Sequence, residues 1–249
     1  MKLALISDIH GNAVAFNAVL DQLAHQQIDQ LICLGDAVAT GPQPAECVEL
    51  LRQNQIPTIM GNADAWLLDP QRNPEASEFH RFIEEIDLWC QEQLNDAALT
   101  FIEQFPTTLE YPLSTNHTLL AYHGSPRSFN EGVRPDTPAE TLHELLPESY
   151  ITIMAGGHIH QPFLRRYLDL MILNPGSVGL GYQHERETKK PANIGWAEYA
   201  VLEIGPDLPD DPGNLKIEFH RVPYSVEVLG KVARSSSMPG AERWLEGWA

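Results

Sequence analysis

Cysteine is scarce in this 249-residue chain: the three present, Cys33, Cys47 and Cys90, are an odd number without CxxC spacing, each inside an apolar strand or helix pattern. Such a set reads as buried reduced thiols. Long apolar runs are missing as well. None approaches the roughly 18 residues that span a bilayer, and Asp8 and His10 already fall within the first ten residues. The expectation is a cytoplasmic protein with no signal peptide and no membrane contact. Positive charge is the third shortage, since 16 Lys and Arg face 34 Asp and Glu, for a formal net charge of -18. That balance argues against a groove for long nucleic acid, whose phosphates are held by Lys and Arg. Bound divalent cations would offset the charge locally, so a small phosphorylated ligand stays open.

What is present is the composition of a globular domain, 43% apolar and 20% charged. The length allows a full core, and we read residues 1–249 as a single domain with a helical insertion at about 65–105. The apolar run 2–7 has the form of a central parallel strand, and 13–26 then carries apolar residues near helical spacing. Residues 30–34 and 44–53 repeat the pair, and 57–60 has the form of a third strand. Strands alternating with helices of this length place the chain in the α/β class with a parallel core.

From 65 to 105 the strand rhythm stops: 75–95 reads as a helix and 96–105 as a shorter one, together a packing layer or lid. Strand character returns at 107–111 and 116–122. Thr137-Pro138-Ala139-Glu140 has the form of a capping box that starts a helix running to Leu146. Further strands are expected at 150–155, 163–167, 170–173, 196–204 and 215–222, a loop at 205–214, and a helix at 225–233. The tail from 234 to 249 has no role legible in its residues.

Five apolar runs end in polar clusters: Asp8-Ile9-His10-Gly11-Asn12, Gly35-Asp36, Gly61-Asn62-Ala63-Asp64, His123-Gly124-Ser125 and Gly156-Gly157-His158-Ile159-His160. In open α/β sheets ligands collect beyond the carboxyl ends of strands. If Asp8, His10, Asp36, Asn62, His123, His158 and His160 met, they would be too many ligands for one ion. Carboxylates with imidazoles suit Mn, Fe, Zn, Ni or Co rather than Ca or Mg. Two divalent ions bridged by a carboxylate are the natural solution, and ions roughly 3.5–4 Å apart can hold a bridging hydroxide and clamp a phosphoryl group. Hydrolysis of a phosphomonoester or phosphodiester is the expected reaction.

In this order the clusters resemble the pattern of the calcineurin-like metallophosphoesterase superfamily, D-x-H, G-D, G-N-H-D/E, H and G-H-x-H, over residues 8 to 160. Asn174-Pro175-Gly176-Ser177 further resembles its small prokaryotic branch. The resemblance implies that Asp8, His10, Asp36 and His160 bind one metal, and that Asp36, Asn62, His123 and His158 bind the other, with Asp36 as the bridge. It also implies a four-layer αββα sandwich, adding a second, mainly antiparallel sheet from the later strands. In that superfamily a retromer subunit keeps the fold as a protein-interaction scaffold, which is the alternative to an enzyme; a homo-oligomer is left open.

Two departures stand out. Ala63 occupies the place of the superfamily's His in G-N-H, a residue regarded as helping to protonate the leaving oxygen. The stretch Gly35 to Gly41 also lacks the Arg carried by protein Ser/Thr phosphatases and symmetrical diadenosine tetraphosphatases, so the chain falls outside those branches. Asn12 enters a helix N-terminus, as either a phosphate contact or only the helix cap. Arg127 is a candidate phosphate contact or an exposed loop residue. His184 reads as part of a solvated loop, and His25, His80, His117, His143 and His220 as surface or structural residues.

Overall fold

The computed structural model describes residues 1–148, 150–186, 188, 190–205 and 215–248. The loop expected at 205–214 lies outside the described residues except for Gly205. Strand β1 (Lys2–Ile6) feeds helix α1 (Ala13–Ala24), and β2 (Gln30–Cys33) feeds α2 (Pro44–Gln53). Three helices follow, α3 (Asn62–Leu68), α4 (Glu78–Glu92) and α5 (Asp96–Glu103). Then come β3 (Thr108–Pro112), β4 (Thr118–Tyr122), α6 (Ala139–Glu144), β5 (Ile153–Ala155), β6 (Phe163–Tyr167) and β7 (Leu170–Asn174). The chain closes with the hairpin β8 (Tyr182–His184) and β9 (Pro191–Asn193), the long strands β10 (Trp196–Ile204) and β11 (Leu215–Pro223), and helices α7 (Val226–Ser235) and α8 (Ala241–Leu245).

Two sheets stack face to face. The first has the order β11-β10-β1-β2, and the second β3-β4-β5-β7-β6. The period-two alternation of side chains assigns each face. Along β1, Leu3 and Leu5 face the second sheet, while Ala4 and Ile6 face the helices. Both faces of the strand are therefore dry, which is why it reads as an unbroken apolar run. In the second sheet Leu119 and Ala121 point toward the first, whereas Leu120 and Tyr122 point outward onto Leu142 and Leu145 beside α6. Helices, sheet, sheet and helix give the expected four layers.

Several details differ from expectation. The second sheet is parallel at its centre, where β5 pairs with β4 and β7, and antiparallel only at its flanks. The late strands β10 and β11 join the first sheet instead, β10 running antiparallel to β1. Residues 57–60 form only a single parallel bridge, Thr58 to Cys33. Cys33 N–H donates to Pro57 O and Cys33 O accepts from Ile59 N–H, and the run then ends at Gly61, which opens α3. The capping box at Thr137 does not form: α6 starts at Ala139 without a side-chain cap, and Thr137 Oγ1 accepts from Arg134 N–H at 2.8 Å. All three cysteines are buried and free, as expected. Among the described residues no helix is long and apolar enough to cross a membrane.

Candidate metal centre

The polar clusters meet because the loops that carry them hydrogen-bond to one another. Beyond β1 and β2 the two chains run side by side, with Asp8 N–H donating to Gly35 O and His10 N–H to Asp36 O, both at 2.9 Å. His158 N–H donates to the Asp8 carboxylate at 3.1 Å, and Gly157 N–H donates to His123 O at 2.8 Å. Close approach requires glycine at two points. A Cβ on Gly61 would lie 2.1 Å from Asp36 Oδ1, and one on Gly157 would lie 1.9 Å from Ser7 Oγ.

Five of the seven candidate ligands also have left-handed backbone: Asp8 (φ 54°), His10 (47°), Asp36 (50°), His158 (71°) and His160 (53°). That conformation costs an L-residue roughly 1–2 kcal/mol. Strain of this kind persists where surrounding structure over-determines it, and it clusters at functional sites.

The side chains fall into two groups, each closing to within 4.8 Å: Asp8, His10 and His160, and Asp36, His123 and His158. His160 Nε2 lies 3.2 Å from Asp8 Oδ1 and 3.1 Å from His10 Nε2. In the other group His123 Nε2 lies 3.2 Å from Asp36 Oδ2 and 3.1 Å from Asn62 Oδ1, and His158 Nδ1 lies 2.8 Å from the same Asn62 oxygen. Asp36 stands between the groups, its Oδ2 being 3.8 Å from His10 Nε2. All seven candidate residues are thus brought together, Asn62 standing against His123 and His158 of the second group.

The orientation of the rings fits cations. His10, His123 and His160 each turn Nδ1 toward a backbone carbonyl, those of Ala39 (3.3 Å), Leu34 (2.7 Å) and Leu180 (2.8 Å). A ring donating from Nδ1 keeps its Nε2 lone pair for a metal. Asp36 is oriented in the same way, since its Oδ1 accepts from Ala63 N–H at 2.8 Å and leaves Oδ2 to the site.

Electrostatics keep the acids ionised. Burial pushes Asp8 and Asp36 upward, but His160 beside the first and His123 beside the second outweigh it, and both lie below the usual carboxylate range. Burial likewise presses on His123, yet Asp36 lifts it to about 9, and Asp8 raises His160 against the same burial. His10 goes the other way, to about 4, through burial and the charge of His160. Protons on His123 and His160 therefore occupy the atoms that cations would use.

Other residues turn out to be supports. Asp64, in the family motif but assigned no role by sequence, accepts from Ala37, Val38 and Gly61 N–H groups at 3.0–3.4 Å and pins the loop bearing Asp36 to α3. Asp87 on α4 accepts from Thr40 Oγ1 at 2.8 Å, next to the Ala39 carbonyl that orients His10. Helix α4 thus braces the loop next to His10. Ser177 Oγ donates to Asp8 O, and Asn174 Nδ2 donates to Gly157 O at 2.6 Å, so the Asn-Pro-Gly-Ser turn ties two ligand loops together.

For three further residues the contacts decide how the sequence is read. Asn12 is not a phosphate contact: it is fully buried, its Oδ1 caps α1 through Ala15 N–H, and its Nδ2 donates to Gly179 O. Both ends of the amide are thereby occupied. Arg127 is held by Glu131 at 2.6 Å and by Glu144, as an exposed loop ion pair. His184 lies in the β8–β9 hairpin rather than a featureless loop. This hairpin, α4 and α8 wall a cavity of about 650 Å³ that opens beside His160.

Because cations and protons compete for His123 and His160, metal affinity is expected to rise with pH from 6 to about 9 and to level off as His123 loses its proton. The same raised pKa values stabilise the cation-free fold below the ordinary imidazole pKa, and that stability is lost as pH passes through about 9. Calorimetric titration with manganese in buffers of different ionisation enthalpy measures the protons released. An affinity independent of pH, with no proton release, contradicts this assignment.

Comparison with known proteins agrees with this geometry. The model of the calcineurin-like phosphoesterase superfamily domain matches residues 1–195. An uncharacterized protein of Methanocaldococcus jannaschii is 26% identical over 245 residues, covering 98% of this chain and 95% of the relative. The crystal structure of a metallophosphoesterase from Sphaerobacter thermophilus is 26% identical, with a TM-score of 0.70 and 99% of each chain covered. A hypothetical protein from Pyrococcus horikoshii shares the fold, with a TM-score of 0.76 at 19% identity over 98% of this chain and 96% of that one. With four layers, ligand loops at the strand ends and a family match over most of its length, the chain belongs to the calcineurin-like phosphoesterase superfamily.

Proposed function

We propose that the protein is a dinuclear metal-dependent phosphoesterase acting on a small phosphodiester or phosphomonoester, and that residues 1–249 form one catalytic domain with its helical insertion. The observation that carries this reading is the position of Asp36, one oxygen fixed by Ala63 N–H and the other facing His10 and His123 from the two ligand groups. Asp8, His10, Asp36 and His160 would hold one ion, and Asp36, Asn62, His123 and His158 the other. Nitrogen and oxygen donors in this ratio suit Mn, Fe, Zn or Ni. Bound there, two such ions supply Lewis acidity to a phosphoryl oxygen and lower the pKa of water toward neutrality.

The chain's own contribution is orientation. The Ala39, Leu34 and Leu180 carbonyls lock three imidazoles. The Asp64 carboxylate, buried under the Asp36 loop, keeps that loop in its strained shape. Little reorganisation is then needed during the reaction, and fixed polar groups are the usual source of a large rate enhancement.

Asp36→Asn and His158→Ala are each expected to abolish turnover of an aryl phosphodiester while the far-ultraviolet circular dichroism stays native, because each change removes a ligand rather than a core side chain. Full turnover in either variant contradicts the proposal.

A second outcome follows from Ala63. Its side chain belongs to the core packed against the helices, so no imidazole stands there to protonate a leaving oxygen. General-acid help is typically worth about 10²–10⁴-fold. Values of kcat/KM should therefore climb steeply as the leaving-group pKa falls, with aryl phosphodiesters far ahead of alkyl phosphomonoesters. A flat dependence on leaving-group pKa would mean that another residue donates the proton.

A further inference from the structure

Asp87 lies on the buried side of α4 with Ile86 and Cys90, at 6% exposure. A carboxyl group so placed is costly unless it is paired. What it meets is a hydroxyl rather than a cation, since Thr40 Oγ1 donates to Asp87 Oδ1 at 2.8 Å. The Thr40 backbone N–H faces the same carboxylate and favours its charged form. Thr40 is itself an outlier, a buried β-branched residue with φ 73°. Such strain persists only where neighbours over-determine it.

The peptide that joins Ala39 to Thr40 connects this pair with the metal centre. Its N–H, from Thr40, turns toward Asp87, and its carbonyl, from Ala39, lies 3.3 Å from His10 Nδ1. A trans peptide is planar, with N–H and C=O on opposite sides, so one rigid unit has Asp87 on one flank and His10 on the other. Returning Thr40 to negative φ, with a compensating ψ change at Ala39, rotates that unit and swings the carbonyl away from His10. The ring then loses the acceptor that keeps its proton on Nδ1 and its Nε2 lone pair free. The rest of the loop is already fixed: a Cβ on Gly41 would lie 2.0 Å from His10 O, Gln43 N–H donates to Gly11 O at 2.8 Å, and Cys90 Sγ donates to Gly41 O at 3.4 Å. In the other ligand group, His123 is held by the Leu34 carbonyl directly after β2, and Asp36 by Ala63 N–H.

We propose that Asp87 and Thr40 are positioning residues for His10, acting through the Ala39–Thr40 peptide, and that they set the hold on the ion shared by Asp8, His10 and His160 without affecting the other. This deepens the dinuclear reading and rests on it for the ion; the tautomer of His10 in the cation-free protein is independent of it.

The test compares the full chain with Thr40→Val, which deletes the hydroxyl at nearly constant volume, with Asp87→Ala, and with Asp87→Asn, which keeps an acceptor oxygen. Nitrogen-15 spectra of the imidazoles, recorded without metal at neutral pH, should place the His10 proton on Nδ1 in the unaltered chain and in Asp87→Asn. In Thr40→Val and Asp87→Ala it should shift toward Nε2. Calorimetric titration with manganese is then run in two backgrounds, each with one site disabled. With His158→Ala, which spares the site of His10, Thr40→Val and Asp87→Ala should weaken binding about 10–100-fold, the usual size for losing an outer hydrogen bond to a metal-bound histidine. With His160→Ala, which spares the other site, they should leave it unchanged. An unmoved His10 tautomer, or equal losses in both backgrounds as general loosening would give, overturns the inference. Should Asp87→Ala not fold, Thr40→Val decides alone. An unaltered chain that binds no manganese contradicts the dinuclear reading instead, and the tautomer result still decides whether Asp87 and Thr40 position His10.

Discussion

A buried carboxylate with two duties organises this molecule. Asp36 is 3% exposed, and an anion so placed is tolerable only with compensation. Ala63 N–H compensates one oxygen, and His123 and His10 face the other. To put that oxygen between two groups of ligands, Asp36 takes a left-handed backbone, and its loop leans on Asp64 and on the Asp8–His10 loop. Strand order, glycines and the second row of hydrogen bonds can all be understood as means of holding this one carboxylate still.

Helix α4 takes part in the same support. Asp87 reaches from α4 to Thr40, itself left-handed at φ 73°, beside the carbonyl that orients His10. Burial raises the Asp87 carboxyl to about 7, so it is a hydrogen-bonding partner of the loop rather than a free surface acid. A segment that supplies none of the seven candidate ligands therefore fixes one of them indirectly, while its Phe79 and the Trp244 of the C-terminal helix shape the adjoining cavity.

Much of this was legible in the residues. The run 2–7 announced a doubly buried strand because both of its faces are covered, and the ligand clusters were visible because each follows an apolar run and keeps its family order. Other features left no local trace. The tail after residue 234 is polar and aromatic in composition, and α8 is recognisable only once Gly240, at φ 62°, sits against Phe82 of α4. Residues 57–60 have strand propensity but make one bridge, because the chain turns into α3 at Gly61 directly after them. Asn12 offered two readings that only burial could separate. The left-handed ligands were equally hidden: Asp and His tolerate that conformation, but nothing in their sequence requires it.

The central claim is that two cations share Asp36. Metal content per chain, measured by mass spectrometry after manganese loading and removal of the unbound ion, tests it most directly. The account predicts two manganese ions per chain in the unaltered protein. One ion or none, in a natively folded sample, would contradict it.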